Sequence, residues 1–137
     1  MKVAFSLAAL AFTLLVGAAV WGQTADEYQA WMKSNGALTA DLNKNLAAKN
    51  ASASIMDANE IQENVSKTMI YWQRKNVADA LKFASGAKEG MANVIVLVNQ
   101  GKFDDASAAA KQTAQVNCGG CHMAHREKAA DGSFKIK

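Results

Sequence analysis

The sequence contains no proline in 137 residues and only two cysteines. Without proline nothing forces a break inside a helix, so long helices are permitted. The two cysteines, Cys118 and Cys121, sit three positions apart, which argues against a disulfide scaffold, whose cysteines are spread along the chain. An excess of one charge is also missing. The net charge is +3, and the basic residues are not interleaved with aromatics in one stripe, so no nucleic-acid partner is expected. No stretch shows the apolar–polar alternation of a strand. What is present is 50% hydrophobic residues in a length suited to one domain.

The first 22 residues differ from the rest. Lys2 is the only charge before Asp26, residues 3–20 are almost wholly apolar, and Gly17-Ala18-Ala19 adds small residues near the end of that run. A positive start, an apolar middle and a small-residue exit make a signal peptide over 1–22, cut after Gly22, with a cut after Ala19 as the alternative. The same run approaches spanning length, so an uncleaved membrane anchor is the competing reading; otherwise no membrane contact is expected. No cysteine follows the run, which argues against a lipid anchor. The domain proper is then 23–137, about 115 residues and enough for one modest core. Export places the chain in the periplasm of a bacterium, where a bare Cys-x-x-Cys pair is prone to oxidation.

Four helices are expected. The first opens at Thr24 with Glu27 three residues on, a capping box, and carries apolar positions at Tyr28, Trp31, Met32, Leu38, Leu42 and Leu46, mostly three or four apart. Asn50-Ala51-Ser52 reads as its stop. The second opens at Asp57 with Glu60 three on, steps through Ile61, Val65, Met69 and Trp72, and ends at Arg74-Lys75-Asn76, with cations at the negative terminus. The third carries Val77, Leu81, Ala84, Met91, Val94, Ile95 and Val98 and stops at Asn99-Gln100-Gly101. The fourth starts near Phe103 and runs through alanine-rich sequence past His122 to about residue 129, where Asp131-Gly132 turns the chain into a short tail. Short links between long amphipathic helices predict an all-α fold, an antiparallel up-down four-helix bundle.

The chemistry is concentrated in Cys118-Gly119-Gly120-Cys121-His122. On a helix, positions i, i+3 and i+4 share a side, so two sulfurs and one imidazole face the same way. The pattern is the attachment signature of a c-type haem, held by two thioethers with the imidazole on iron. Roughly one shuffled chain of this composition in 5,000 would show it, so the signal is specific. Thioether bonds would also remove both thiols from periplasmic oxidation. Two alternatives stand beside it. A thiol oxidoreductase wants a βαβ context that is missing, and a zinc site built on Cys118, Cys121, His122 and His125 lacks a second cysteine pair. The second axial ligand must come from another helix or be absent, because Met123 and His125 share the short segment of His122. Upstream candidates are Met32, Met56, Met69 and Met91, and spacing alone does not choose among them.

Two segments, Cys-Gly-Gly-Cys-His-Met-Ala-His-Arg at 118–126 and Tyr-Gln-Ala-Trp-Met-Lys-Ser-Asn-Gly at 28–36, resemble the cytochrome c prime family, the four-helix class II c-type cytochromes. The likeness runs over nearly all of 23–137. It implies one covalent haem c on the C-terminal helix, with iron bound by His122, and it places Arg126 beside that proximal imidazole. In the family's first helix an Arg-Gln pair precedes the distal position; here Gln29 matches, Tyr28 replaces the arginine, and Met32 falls on the distal position. The resemblance implies that Met32 is the sixth ligand, as in low-spin members. Gly36, one turn on, leaves space for the porphyrin. Members with a non-ligating residue there stay five-coordinate and bind NO or CO, which is the alternative. Many members are homodimers through their first two helices.

Other features carry two readings each. Trp31 and Trp72 either pack on the haem or fill the core. Gly86 and Gly90 either let the third helix approach a neighbour closely or are tolerated surface positions. The small residues of the fourth helix reflect helix propensity or room for a flat cofactor. Lys128, Lys135 and Lys137 form either a docking patch for an acidic redox partner or a solvated surface. No acid–base constellation appears, so the expected role is one-electron transfer with periplasmic redox partner proteins rather than enzymatic catalysis. Membership in a larger redox complex is a further alternative.

Overall fold

In the computed structural model, residues 23–137 are described. The expected signal peptide lies outside the described residues. The elements are α1 (Ala25–Ala47), α2 (Ala51–Lys75), α3 (Ala78–Asn99), α4 (Phe103–Thr113), a π-helical stretch (Ala114–Gly119), α5 (Gly120–His125), β1 (Arg126–Lys128) and β2 (Phe134–Ile136). The links at 48–50, 76–77 and 100–102 are too short for anything but reversal, so consecutive helices fold back on one another. α2 packs on α1 and α3, α4 packs on α3, and contact between α4 and α1 closes the ring. The all-α bundle is therefore as expected, with the fourth helix a composite of α4, the π stretch and α5. Among the described residues no helix is long and apolar enough to cross a membrane.

α1 begins where its capping box predicts. The Glu27 amide donates to Thr24 Oγ1 at 3.1 Å and the Thr24 amide to Glu27 Oε2 at 2.8 Å, satisfying two amides that have no partner within the helix. α2 begins earlier than expected, at Ala51 rather than Asp57. Asn50 is its cap and accepts from the Ala53 amide at 3.2 Å, so Asn50-Ala51-Ser52 ends one helix and starts the next. Asp57, read as a cap, lies inside α2 and accepts from Asn45 Nδ2 at 2.7 Å, tying α2 to α1. Asn76 closes α2 at φ 56°, a left-handed position that asparagine tolerates.

The core falls into two parts. Leu42, Leu46, Val65, Met91, Val94 and Val98 lead an aliphatic cluster from the C-terminal half of α1, the middle of α2, the middle and C-terminal parts of α3, and α4. Tyr28, Tyr71, Trp72 and Ala80 form a smaller cluster at the opposite end. Ala106 and Ala110 are buried in the aliphatic cluster, so there the small residues of α4 serve close helix packing; only Ala114, just beyond α4, lines a cavity. A Cβ on Gly90 would meet Thr113 Oγ1, and one on Gly86 would meet Asn117 Nδ2, both at 2.1 Å. These glycines let α3 lie against the fourth helix, which settles their two readings in favour of close approach.

The C-terminus departs from expectation. The α-helix does not run on to residue 129. It widens to π geometry, resumes for six residues, and stops at His125 with Arg126 extended. β1 and β2 then pair antiparallel, Arg126 opposite Ile136, Glu127 opposite Lys135 and Lys128 opposite Phe134. The reversal is local chemistry: Asp131 Oδ1 accepts from the Ser133 amide at 2.9 Å and from its hydroxyl at 2.6 Å, and Gly132 takes φ 84°.

Candidate functional site

The motif residues lie where the fourth helix changes pitch. A π turn holds one more residue than an α turn, so it shifts the residues after it around the helix relative to those before; such turns are frequent at functional sites. Cys118 lies in the π stretch, and Cys121 and His122 lie in α5. Gly120 faces α3, where a Cβ would come within 2.6 Å of Phe83 Cε1, so only glycine allows this approach; Gly119 meets no such crowding.

Two cavities meet at this segment. The inner one, about 250 Å³, lies among all four helices; α1 supplies Met32, Asn35, Gly36 and Thr39, α2 Thr68 and Trp72, α3 Phe83, Ala84 and Ala87, and the fourth helix Ala114, Asn117 and Cys118. The outer one, about 450 Å³, lies between α1, α5 and the hairpin. Four residues line both: Tyr28, Met32, Cys121 and His122. The fold thus brings the thioether of Met32 and the imidazole of His122, from opposite ends of the described chain, to the same space. Nothing lies within 4 Å of a Cβ built on Gly36, so this glycine leaves open volume beside Met32. Met56 is 67% exposed, far from the role of a buried ligand. Met69 and Met91 belong to the aliphatic cluster.

Cys118 and Cys121 are not joined to each other in a disulfide. Cys118 is exposed on one side and lines the inner cavity on the other. Loss of hydration raises the Cys118 thiol, and burial, Cys118 and Asp79 together push Cys121 up to about 11. Among the described residues no three His, Cys, Asp or Glu side chains converge as a metal cluster, so the zinc alternative has no assembled ligand set. Burial, helped by the charge of Arg126, holds the His122 imidazole below the ordinary histidine range. A neutral imidazole keeps a lone pair available to a metal.

Around this centre the packing is tight. Trp72 Nε1 donates to Tyr28 Oη at 3.1 Å, and the Tyr28 and Tyr71 rings lie 4.8 Å apart. Burial, only partly offset by the Trp72 hydrogen bond, pushes the Tyr28 phenol up to about 12, so it stays neutral. Trp72 is core and cavity wall at once, whereas Trp31 packs on the aromatic cluster and lines neither cavity. His125 is engaged elsewhere: its Nε2 lies 2.8 Å from Asp79 Oδ2, and its ring centroid lies 5.0 Å from that of Trp72. This pair ties α5 to the first turn of α3.

Arg126 lines the outer cavity with His122, though from a strand rather than a helix, and its guanidinium stacks on Phe134 at 4.1 Å. Lys135 lines the outer cavity and Lys128, opposite Phe134, lines neither, so the two do not make one patch. Sequence reasoning missed Lys33, Asp79, Phe134 and Ile136, and with the last two the hairpin that joins them to Arg126. Asp131-Gly132 between Arg-Glu-Lys and Phe-Lys-Ile is a hairpin signal that would have found the last of these. Comparison of the chain with protein-family models, curated proteins and solved structures finds no match.

Proposed function

We propose that the chain is a periplasmic one-electron carrier with a single covalent c-type haem, of the kind its motifs share with the cytochrome c prime family. The observation that carries this reading is the convergence of Cys121, His122 and Met32 on two adjoining cavities, with Cys118 at the edge of the inner one. The residues fit the group. The cavities are mostly apolar, their combined size suits a large flat ligand, and the two free sulfurs stand together on one wall. Cys118 and Cys121 would hold the porphyrin covalently through their sulfurs. His122 and Met32 would be the side chains that hold the iron. When bound, the haem iron supplies the ferric–ferrous couple, and His/Met ligation favours a raised potential. The chain itself supplies a largely apolar wall, a neutral imidazole and the packed aromatics Tyr28 and Trp72.

The test is an optical spectrum of the protein, exported from a host that attaches c-type haem, oxidised and reduced, with and without carbon monoxide. The expected result is a sharp reduced alpha band that ignores carbon monoxide and turns carbon-monoxide-sensitive in Met32→Ala. A wild-type spectrum that shifts with carbon monoxide would assign the chain to gas binding at a five-coordinate iron. No haem absorption would overturn the reading altogether.

A further inference from the structure

The two cavities that meet at His122 differ in charge. No Asp, Glu, Lys or Arg lines the inner one. The outer one is lined by three cations, Lys33, Arg126 and Lys135, and by no carboxylate. Lys33 comes from α1, next to Met32, while Arg126 and Lys135 come one from each strand of the hairpin. Among the described residues none of the three is in an ion pair; Arg126 rests on the face of Phe134. Glu127 lies opposite Lys135 in the register but does not line the cavity. Like charges gathered round one space raise its potential and draw an anion into it.

We propose that the outer cavity is a carboxylate site, and that it receives the two propionate groups of the haem. The inference rests on the haem reading above and adds to it the residues that hold the cofactor's charged edge. A haem is amphipathic in the same sense as the two cavities, an apolar ring with two carboxylates on one edge. Arg126 offers a planar fork matched to a carboxylate, and the two lysines offer point charges. The hairpin is held to the bundle chiefly by Ile136, packed on the aromatic cluster, and by the Lys137 amide donating to the His125 carbonyl at 3.0 Å. Carboxylates bound between Lys33 and the hairpin would therefore fasten this ribbon to α1.

The test uses the full haem-loaded protein and the double variant Lys33→Gln/Lys135→Gln, with Lys128→Gln, exposed and outside the cavity, as control. Arg126 is left intact because its charge acts on His122. Two quantities are read: hydrogen exchange of the amides in 126–136, and the reduction potential. The expected result is hairpin exchange about tenfold faster in the double variant and a lowered potential, since lost positive charge favours ferric iron, with the control like wild type. The single variant Lys33→Gln, an exposed change on α1, should lower the potential in the same direction if the double variant folds poorly. Wild-type exchange and potential in a haem-loaded double variant would overturn the proposal and leave the carrier reading standing. Hairpin protection produced by acetate alone in haem-free protein would assign the site to a free carboxylate and also overturn it. A wild-type chain without attached haem would sink both readings.

Discussion

The two ends of the bundle are built on opposite principles. At one end Leu42, Leu46, Val94 and Val98 are almost wholly buried, and small residues on the facing helices let the backbones close on them. At the other, the same four helices carry Tyr28, Trp72 and Phe83 around open space. The first end is filled by its own side chains and gains the full benefit of burial and contact. The second leaves volume that side chains do not fill, at a cost in stability to the chain alone. The difference follows from residue choice along each helix: α1 presents Met32 and Gly36 at one end and Leu42 and Leu46 at the other.

This contrast can be broken at four places. Leu46→Ala, in the filled end, should lower unfolding free energy by about 2–5 kcal/mol, because the wall cannot collapse into the gap. Denaturant unfolding checks it, and the loss should be the same with and without haem. Gly90→Ala should cost about 1–3 kcal/mol by driving a methyl into Thr113, which is buried and donates its hydroxyl to the Ala109 carbonyl at 2.8 Å. Gly36→Ala, also inside a helix, should do the reverse in haem-free protein, stabilising it by about 0.5–1 kcal/mol, because open space surrounds it and glycine is the poorer helix former. Thermal melts of the two glycine variants side by side would sharpen the comparison; equal signs would refute it.

The smallest effect concerns Asp79. Loss of hydration raises its carboxyl, but the hydrogen bond and charge of His125 outweigh this and hold it below the ordinary carboxylate range. A value depressed on folding contributes stability that is complete above the unfolded value, about 4, and is lost as pH falls through the folded one. Asp79→Asn should therefore lower stability slightly at neutral pH and make little difference once the carboxyl is protonated, so that the melting temperature falls less steeply below about pH 4, as a pH series of melts would show.

What was legible in the sequence was whatever local chemistry decides. Thr24 and Glu27 announce the start of α1, and the spacing i, i+3 and i+4 announces that Cys118, Cys121 and His122 share one side, where they line the same cavity. What was not legible depended on competition or on tertiary contact. Asn50 and Asp57 are both good caps, and the earlier one won because Asp57 is taken up by Asn45 across the helix pair. The π stretch has no proline or unusual residue to mark it. The hairpin strands are three residues each, too short for alternation to register, and only the Asp-Gly turn between them signals the reversal. The outer cavity's cations were scattered over α1 and the tail, and the fold alone gathers them.

The most direct measurement of the central claim is the intact mass of the protein exported from a host that attaches c-type haem, taken after acid-acetone extraction, for wild type and for Cys118→Ala/Cys121→Ala. The account predicts a wild-type mass equal to the polypeptide plus one haem that extraction does not remove, and bare polypeptide for the double variant. Bare polypeptide in wild type, with both thiols free to alkylate, would contradict it.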